Sequence, residues 1–145
     1  MDIFDRNFIR QNRTRSAANI SEHNFLFDRA MDSITERLAM VKREFASVLQ
    51  IGGRSSMAMP GAVRTEVTAA FEPDAIALPD FLPFAPQSFD LVVAEPDLHM
   101  VADIPGALLQ IKRGRKPYGW VSGALFGGET LMQLREAFAI AGLSA

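Results

Sequence analysis

The chain has 145 residues, enough for one domain whose core needs no disulfide or structural metal. A hydrophobic fraction of 48%, a charged fraction of 22% and a formal net charge of -2 exclude a strong overall bias toward nucleic acid or anionic membrane. The absence of cysteine removes thiolate zinc sites and cysteine nucleophiles and suits a reducing compartment, and no apolar run approaches the roughly 18 residues of a membrane span.

In the opening MDIFDRNFIRQNRTR, Arg6, Arg10, Arg13 and Arg15 alternate with Ile3, Phe4, Phe8 and Ile9, as in a transit peptide or a basic arm. Asp2 and Asp5 point instead to a structural arm, because transit peptides are poor in acidic residues. From Ser21 to Glu44, the steps of four and three between Phe27, Met31, Ile34, Leu38 and Val41 predict an amphipathic helix. Its opposite face carries Asp32, Glu36, Arg37 and Lys42, read as solvated charges. Phe45 to Ile51 (FASVLQI) predicts a short buried strand ending in a tight turn at Gly52 and Gly53.

Val67 to Phe71, Phe89 to Ala94 and Gly119 to Phe126 are β-prone apolar runs that predict three more strands. Between the last two, Ile104, Leu108 and Ile111 mark a helix with Asp103 as N-cap and Pro105 in its first turn. Leu131, Leu134 and Phe138 line a closing helix that begins near Thr130. Strands alternating with helices predict an α/β fold with a mainly parallel sheet, whose ligands bind beyond the carboxyl ends of the strands. Residues 1–44 are read as an N-terminal arm and helix, and residues 45–145 as the α/β domain, together one structural unit.

His23 and His99 are too far apart in sequence to give metal-ligand spacing. Lys112, Arg113, Arg115 and Lys116 form a dense basic cluster that either ends a helix in solvent or meets phosphate or an acidic partner. With no interleaved aromatic residues in a net-acidic chain, it does not indicate nucleic-acid binding.

The runs LPFAPQSFDLVV (Leu82 to Val93), LHMVADIPGALLQI (Leu98 to Ile111), KPYG (Lys116 to Gly119) and GALFGGETLMQLR (Gly123 to Arg135), with IFDR at Ile3 to Arg6, together resemble the class I S-adenosylmethionine (SAM) methyltransferases. Within that family they are most similar to the branch of complex I assembly factors and the biotin-synthesis methyltransferase. The resemblance implies a Rossmann-like three-layer fold and, as ancestral chemistry, in-line attack of an acceptor on the sulfonium carbon of SAM, a reaction governed mostly by positioning. It equally implies an alternative, a noncatalytic scaffold or assembly protein that has lost SAM binding. The branch also includes a protein arginine hydroxylase. The implied partners are a protein acceptor or a respiratory-complex subunit, in the cytoplasm of a bacterium or the mitochondrial matrix of a eukaryote.

The same resemblance locates a cofactor site. Gln50 stands at the family's acidic position in the first strand, Gly52 and Gly53 at its glycine turn, and Arg54 and Ser56 where later glycines belong. LQIGGRSS serves either as a cofactor loop or simply as a strand-ending turn. Glu72 matches the carboxylate that holds the ribose hydroxyls, or is a surface residue before Pro73. Only PDAIALPDF separates Glu72 from Leu82, so the family's intervening helix and third strand are expected to be cut almost to nothing. Leu78 takes the place of the acidic residue near adenine, with Asp80 as a displaced substitute.

Glu95, Pro96, Asp97, Leu98 and His99 occupy the loop that faces cofactor and acceptor, where His99 is either a proton acceptor or a packing residue. Met100 replaces an aromatic residue of the family, and Trp120, Phe126 and the methionines are read as packing residues. The sheet is expected to be incomplete, with an open edge that predicts pairing with another subunit, a rearranged terminus or marginal stability.

Overall fold

A computed structural model of the chain describes residues 4–142. The elements run in the order α1 (Arg6–Ser16), α2 (Phe25–Ala39), β1 (Val48–Ile51), β2 (Ala62–Glu66), β3 (Ala75–Ile76), β4 (Phe89–Ala94), α3 (Ile104–Gly114), β5 (Arg115–Gly123) and α4 (Met132–Ile140). Short 3₁₀ turns occupy Ala17–Glu22, Ala69–Phe71 and Leu98–Met100. All strand pairs are parallel, in the sheet order β3-β2-β1-β4-β5. The chain steps outward from β1 to β3 and then crosses to β4, which puts the topological switch between the carboxyl ends of β1 and β4.

The two central strands are apolar except for Gln50 and Asp90, because both sheet faces are covered. On one face Met31, Ile34 and Leu38 of α2 pack on Val48, Leu91 and Val93. On the other, Ala107 and Ile111 of α3 pack on Leu49, Ile51, Val92 and Ala94. Full burial of a side chain such as Leu49 or Leu91 stabilises by roughly 1.5–3 kcal/mol. The helix α3 starts as its sequence predicts, with the Asp103 carboxylate accepting from Gly106 N at 2.8 Å and Pro105 in the first turn.

Several expectations are corrected. The second strand is Ala62–Glu66, and Val67 to Phe71 leaves the sheet. Its partner β1 ends at Ile51 opposite Thr65, and the Thr68 hydroxyl then caps the 3₁₀ turn by accepting from Ala70 N. The third strand survives as the two residues Ala75–Ile76. The first strand starts at Val48, because Ser47 is held by the Asp90 carboxylate through its amide and hydroxyl. The last strand starts at Arg115, immediately after α3, and Lys116 leaves the basic cluster to pair with Asp90 at 3.2 Å. Trp120 is 45% exposed, and Leu131, Leu134 and Phe138 are exposed on a helix that buries no residue. The outer edge of β5 pairs with no strand among the described residues.

Residues 52–61, which link β1 to β2, contain no helix. Gly52 opens this link with φ +108°, and its N–H donates to Thr65 O at 2.9 Å. A Cβ there would lie 2.7 Å from Glu95 Cβ. Gly52→Ala is therefore expected to cost about 2–3 kcal/mol from strain and overlap, measurable by urea unfolding, while Gly61→Ala, with open space around it, should cost less.

Candidate functional site

The carboxyl ends of β1, β2 and β4 converge with one side chain from α1. That helix is capped by Asp5, whose carboxylate accepts from Asn7 N and Phe8 N, and the cap fixes the register that carries Arg13 inward. Arg13 is only 8% exposed. Its Nη1 donates to both Glu66 oxygens at 2.9 and 3.0 Å and to Asp97 Oδ2 at 3.2 Å, and its Nη2 donates to Asp97 Oδ1 at 2.6 Å. Thr14 and Thr68 share a hydroxyl–hydroxyl bond of 2.8 Å beside it. Polar contacts thus hold α1 over the strand ends.

A second guanidinium enters from the loop after β1. Arg54 pairs with Asp97, donates to Pro96 O at 3.0 Å and lies 3.8 Å from the Phe27 ring centroid. The loop's backbone amides face inward: Arg54 N and Ser55 N donate to Glu95 Oε2 at 3.0 and 3.1 Å. Gln50 Nε2 donates to Glu95 Oε1 at 2.9 Å, and Gln50 Oε1 accepts from Met59 N at 2.8 Å. Asp28 of α2 accepts from Ser55 and Ser56 and ties the loop's far end to the helix face.

Two carboxylates, Glu66 and Asp97, therefore meet two guanidiniums in a buried cluster, and a third, Glu95, lies beside them held by Gln50 and the loop amides. Desolvation raises the pKa of Glu66 and of Glu95 above the ordinary glutamate value despite their donors. Desolvation acts downward on Arg13, but the charges of Asp97 and Glu66 outweigh it and hold its pKa above the ordinary value. Arg54 is lowered, with desolvation the largest cause. His99 is also lowered by desolvation, which favours the neutral ring, and it stacks edge-on against Phe126 at 4.8 Å.

Of the site residues read from sequence, Gly52, Gly53 and Glu95 come together at the switch point. Asp80 lies at the rim of the adjoining cleft and accepts from Arg6 Nη2 at 2.8 Å. Glu72 does not join them. It sits in the left-handed region at φ 50° and ends the 3₁₀ turn, and the carboxylate at the end of β2 is Glu66. Arg13 and Glu66 were not assigned site roles from sequence, and Asp97 was placed only in the loop that faces cofactor and acceptor. The spacing of Arg6, Arg10 and Arg13 by four and three was the available signal.

Beside Arg13, a narrow cleft runs between Ile9 of α1, Val67 after β2, Leu78 after β3 and Met100 and Val101 after β4. It opens beyond the carboxyl ends of the strands, on the ligand side of such a sheet. Among the described residues, no group of three or more histidines, cysteines or acids could hold a metal ion, and no helix is long and apolar enough to cross a membrane.

No family model matches the chain. It is similar to the mitochondrial arginine-hydroxylase NDUFAF5 of Danio rerio, 31% identical over 163 residues, covering 99% of this chain and 51% of that protein. The same protein of Homo sapiens is 31% identical over 158 residues, covering 93% of this chain and 45% of that one. A malonyl-[acyl-carrier protein] O-methyltransferase of Halorhodospira halophila is 31% identical over 160 residues, 95% of this chain and 54% of the enzyme. Fold and relatives together support the methyltransferase family. The chain spans about half the length of the curated relatives it matches. A matched stretch of 163 residues exceeds the 145 of this chain, so the Danio rerio relative carries insertions relative to it, in keeping with the helix-free link after β1 and the short β3.

The residues present do not fit the cofactor of the methyltransferase family in this arrangement. Both Glu66 oxygens accept from Arg13 and Oε1 also accepts from Val67 N at 2.8 Å, so a ribose diol bound to both oxygens would compete with Arg13. The loop amides that would approach a cofactor are bonded to Glu95, and no helix N-terminus follows them. Arg13 and Arg54 also bring two positive charges to the strand ends, an environment that disfavours a cationic sulfonium.

Proposed function

We propose that this methyltransferase-type chain works as a noncatalytic binding or assembly domain that does not take up SAM. The observation that supports the reading is Arg13, whose guanidinium engages the carboxylates Glu66, at the end of β2, and Asp97, after β4. The partner class implied by the sequence resemblance is a protein acceptor or a respiratory-complex subunit, and the unpaired edge of β5 offers a place to associate, including with another copy of the chain. Isothermal calorimetry with SAM and S-adenosylhomocysteine tests the proposal. No saturable heat is expected up to about 1 mM ligand, whereas a micromolar dissociation constant would overturn the noncatalytic reading.

The cleft beside Arg13 favours a second reading, in which α1 swings away, frees Glu66 and admits SAM for methyl transfer to an acceptor. Here the calorimetry on Arg13→Ala decides. Binding by the variant alone assigns Arg13 as the block on a surviving site, and silence from both proteins leaves the noncatalytic reading standing.

A further inference from the structure

We propose that the groove between α1 and the outer edge of β3 is a docking site for an acidic peptide segment with interspersed apolar residues. One wall is α1, whose sequence RNFIRQNRTRS contains four arginines and no acid. Arg10 and Arg15 border the groove and donate only to the neutral side chains of Asn7 and Asn12 within the same helix. Neither forms an ion pair among the described residues. The opposite wall and floor are apolar: Val67 lies at the base, and Ile76 and Phe81 are 61% and 71% exposed. Phe8 of α1 adds a third open apolar group at 59% exposure.

The floor has a further property. The strand β3 is the terminal strand of the sheet and pairs only with β2, so its outer backbone edge is open to an added strand. An extended peptide laid there would set alternate side chains toward Ile76 and Phe81 and toward the arginines of α1. Charge selects the occupant: unpaired guanidiniums beside an apolar floor favour carboxylates alternating with aliphatic residues over a neutral or basic strand. A single-stranded nucleic acid would use the same arginines and phenylalanines but has no use for an open strand edge. The surface lies outside the Arg13 cluster, so the proposal stands or falls independently of the SAM experiment.

Fluorescence anisotropy on the full chain tests it, with a short fluorescein-labelled peptide in which glutamates alternate with valines. Saturable binding is expected that weakens with added salt. Arg10→Glu combined with Arg15→Glu, and separately Phe81→Ser, should each reduce affinity by about tenfold or more with the melting temperature unchanged, since these side chains are exposed. Equal binding of a peptide with lysines in place of the glutamates would overturn the proposal. So would tighter binding of a labelled single-stranded oligonucleotide, or affinities that these variants leave unchanged.

Discussion

Arg13→Ala is expected to destabilise the fold by about 3 kcal/mol, the low end of the cost of removing one partner from a buried ion pair. The variant leaves Glu66 and Asp97 facing each other with one counter-charge fewer, and the mutual repulsion adds to a desolvation that already raises Glu66. The low end applies because α1 is held largely through polar contacts and can lift away, which lets water reach the carboxylates. Amide exchange across residues 6–16 should therefore accelerate before that of β1 and β4. Chemical denaturation gives the magnitude, with Arg10→Ala as the exposed reference at no more than about 0.5 kcal/mol. If the two substitutions cost the same, the ionic anchor has no energetic weight. Glu66→Gln added to Arg13→Ala should recover part of the loss, because a neutral amide is cheaper to bury than an unpaired carboxylate. Arg13→Lys should recover little, since one ammonium cannot reproduce the fork that reaches both acids.

What could be read in advance follows from how local each signal is. The helices α2 and α3 and the strands β1 and β4 were legible because their apolar residues recur at one period or fill both faces of a buried strand. The strand β2 was not, because AVRTE has two apolar residues in five and owes its strand state to pairing with β1. The more apolar VTAAF beside it attracted the assignment, and the expected ribose carboxylate moved to Glu72 with it. Reading β2 in place makes Glu66 the strand-ending acid. Arg13 was hidden for another reason: an arginine on a polar helix reads as solvated, and its carboxylates lie 53 and 84 residues away in the chain. The apolar residues of β5 and α4 look like core in sequence, but no described element packs over them.

Glu95→Ala is expected to cost more than any other single change considered, about 4 kcal/mol, because one carboxylate satisfies three donors. Gln50 Nε2, Arg54 N and Ser55 N all lose their acceptor, and hydrogen bonds to a charged group contribute about 1.5–3 kcal/mol each before the freed groups find other partners. Glu95→Gln should cost less, since it keeps the shape and one acceptor oxygen. The pH response separates charge from hydrogen bonding. Burial raises Glu95 and Glu66, so on the way up from the ordinary value of 4.5 the unfolded chain releases protons that the folded chain still holds. Stability therefore falls as pH rises through the raised folded values. Asp28 and Asp90 act in the opposite sense. Desolvation works upward on Asp28 but its Ser55 and Ser56 hydrogen bonds outweigh it, and Ser47 lowers Asp90; their contribution is present above the ordinary value of 3.8 and is lost as pH falls through the lowered folded values. The Glu66 and Glu95 contribution to the melting temperature should thus be largest below the ordinary glutamate value and fall as pH rises through their raised folded values; His99, lowered by desolvation, acts in the opposite sense, and Glu95→Gln should flatten the fall. A wild-type melting temperature that climbs steadily from about pH 5 to pH 8 would mean that Glu66 and Glu95 ionise as readily in the folded chain as in the unfolded one, contrary to the effect of their burial.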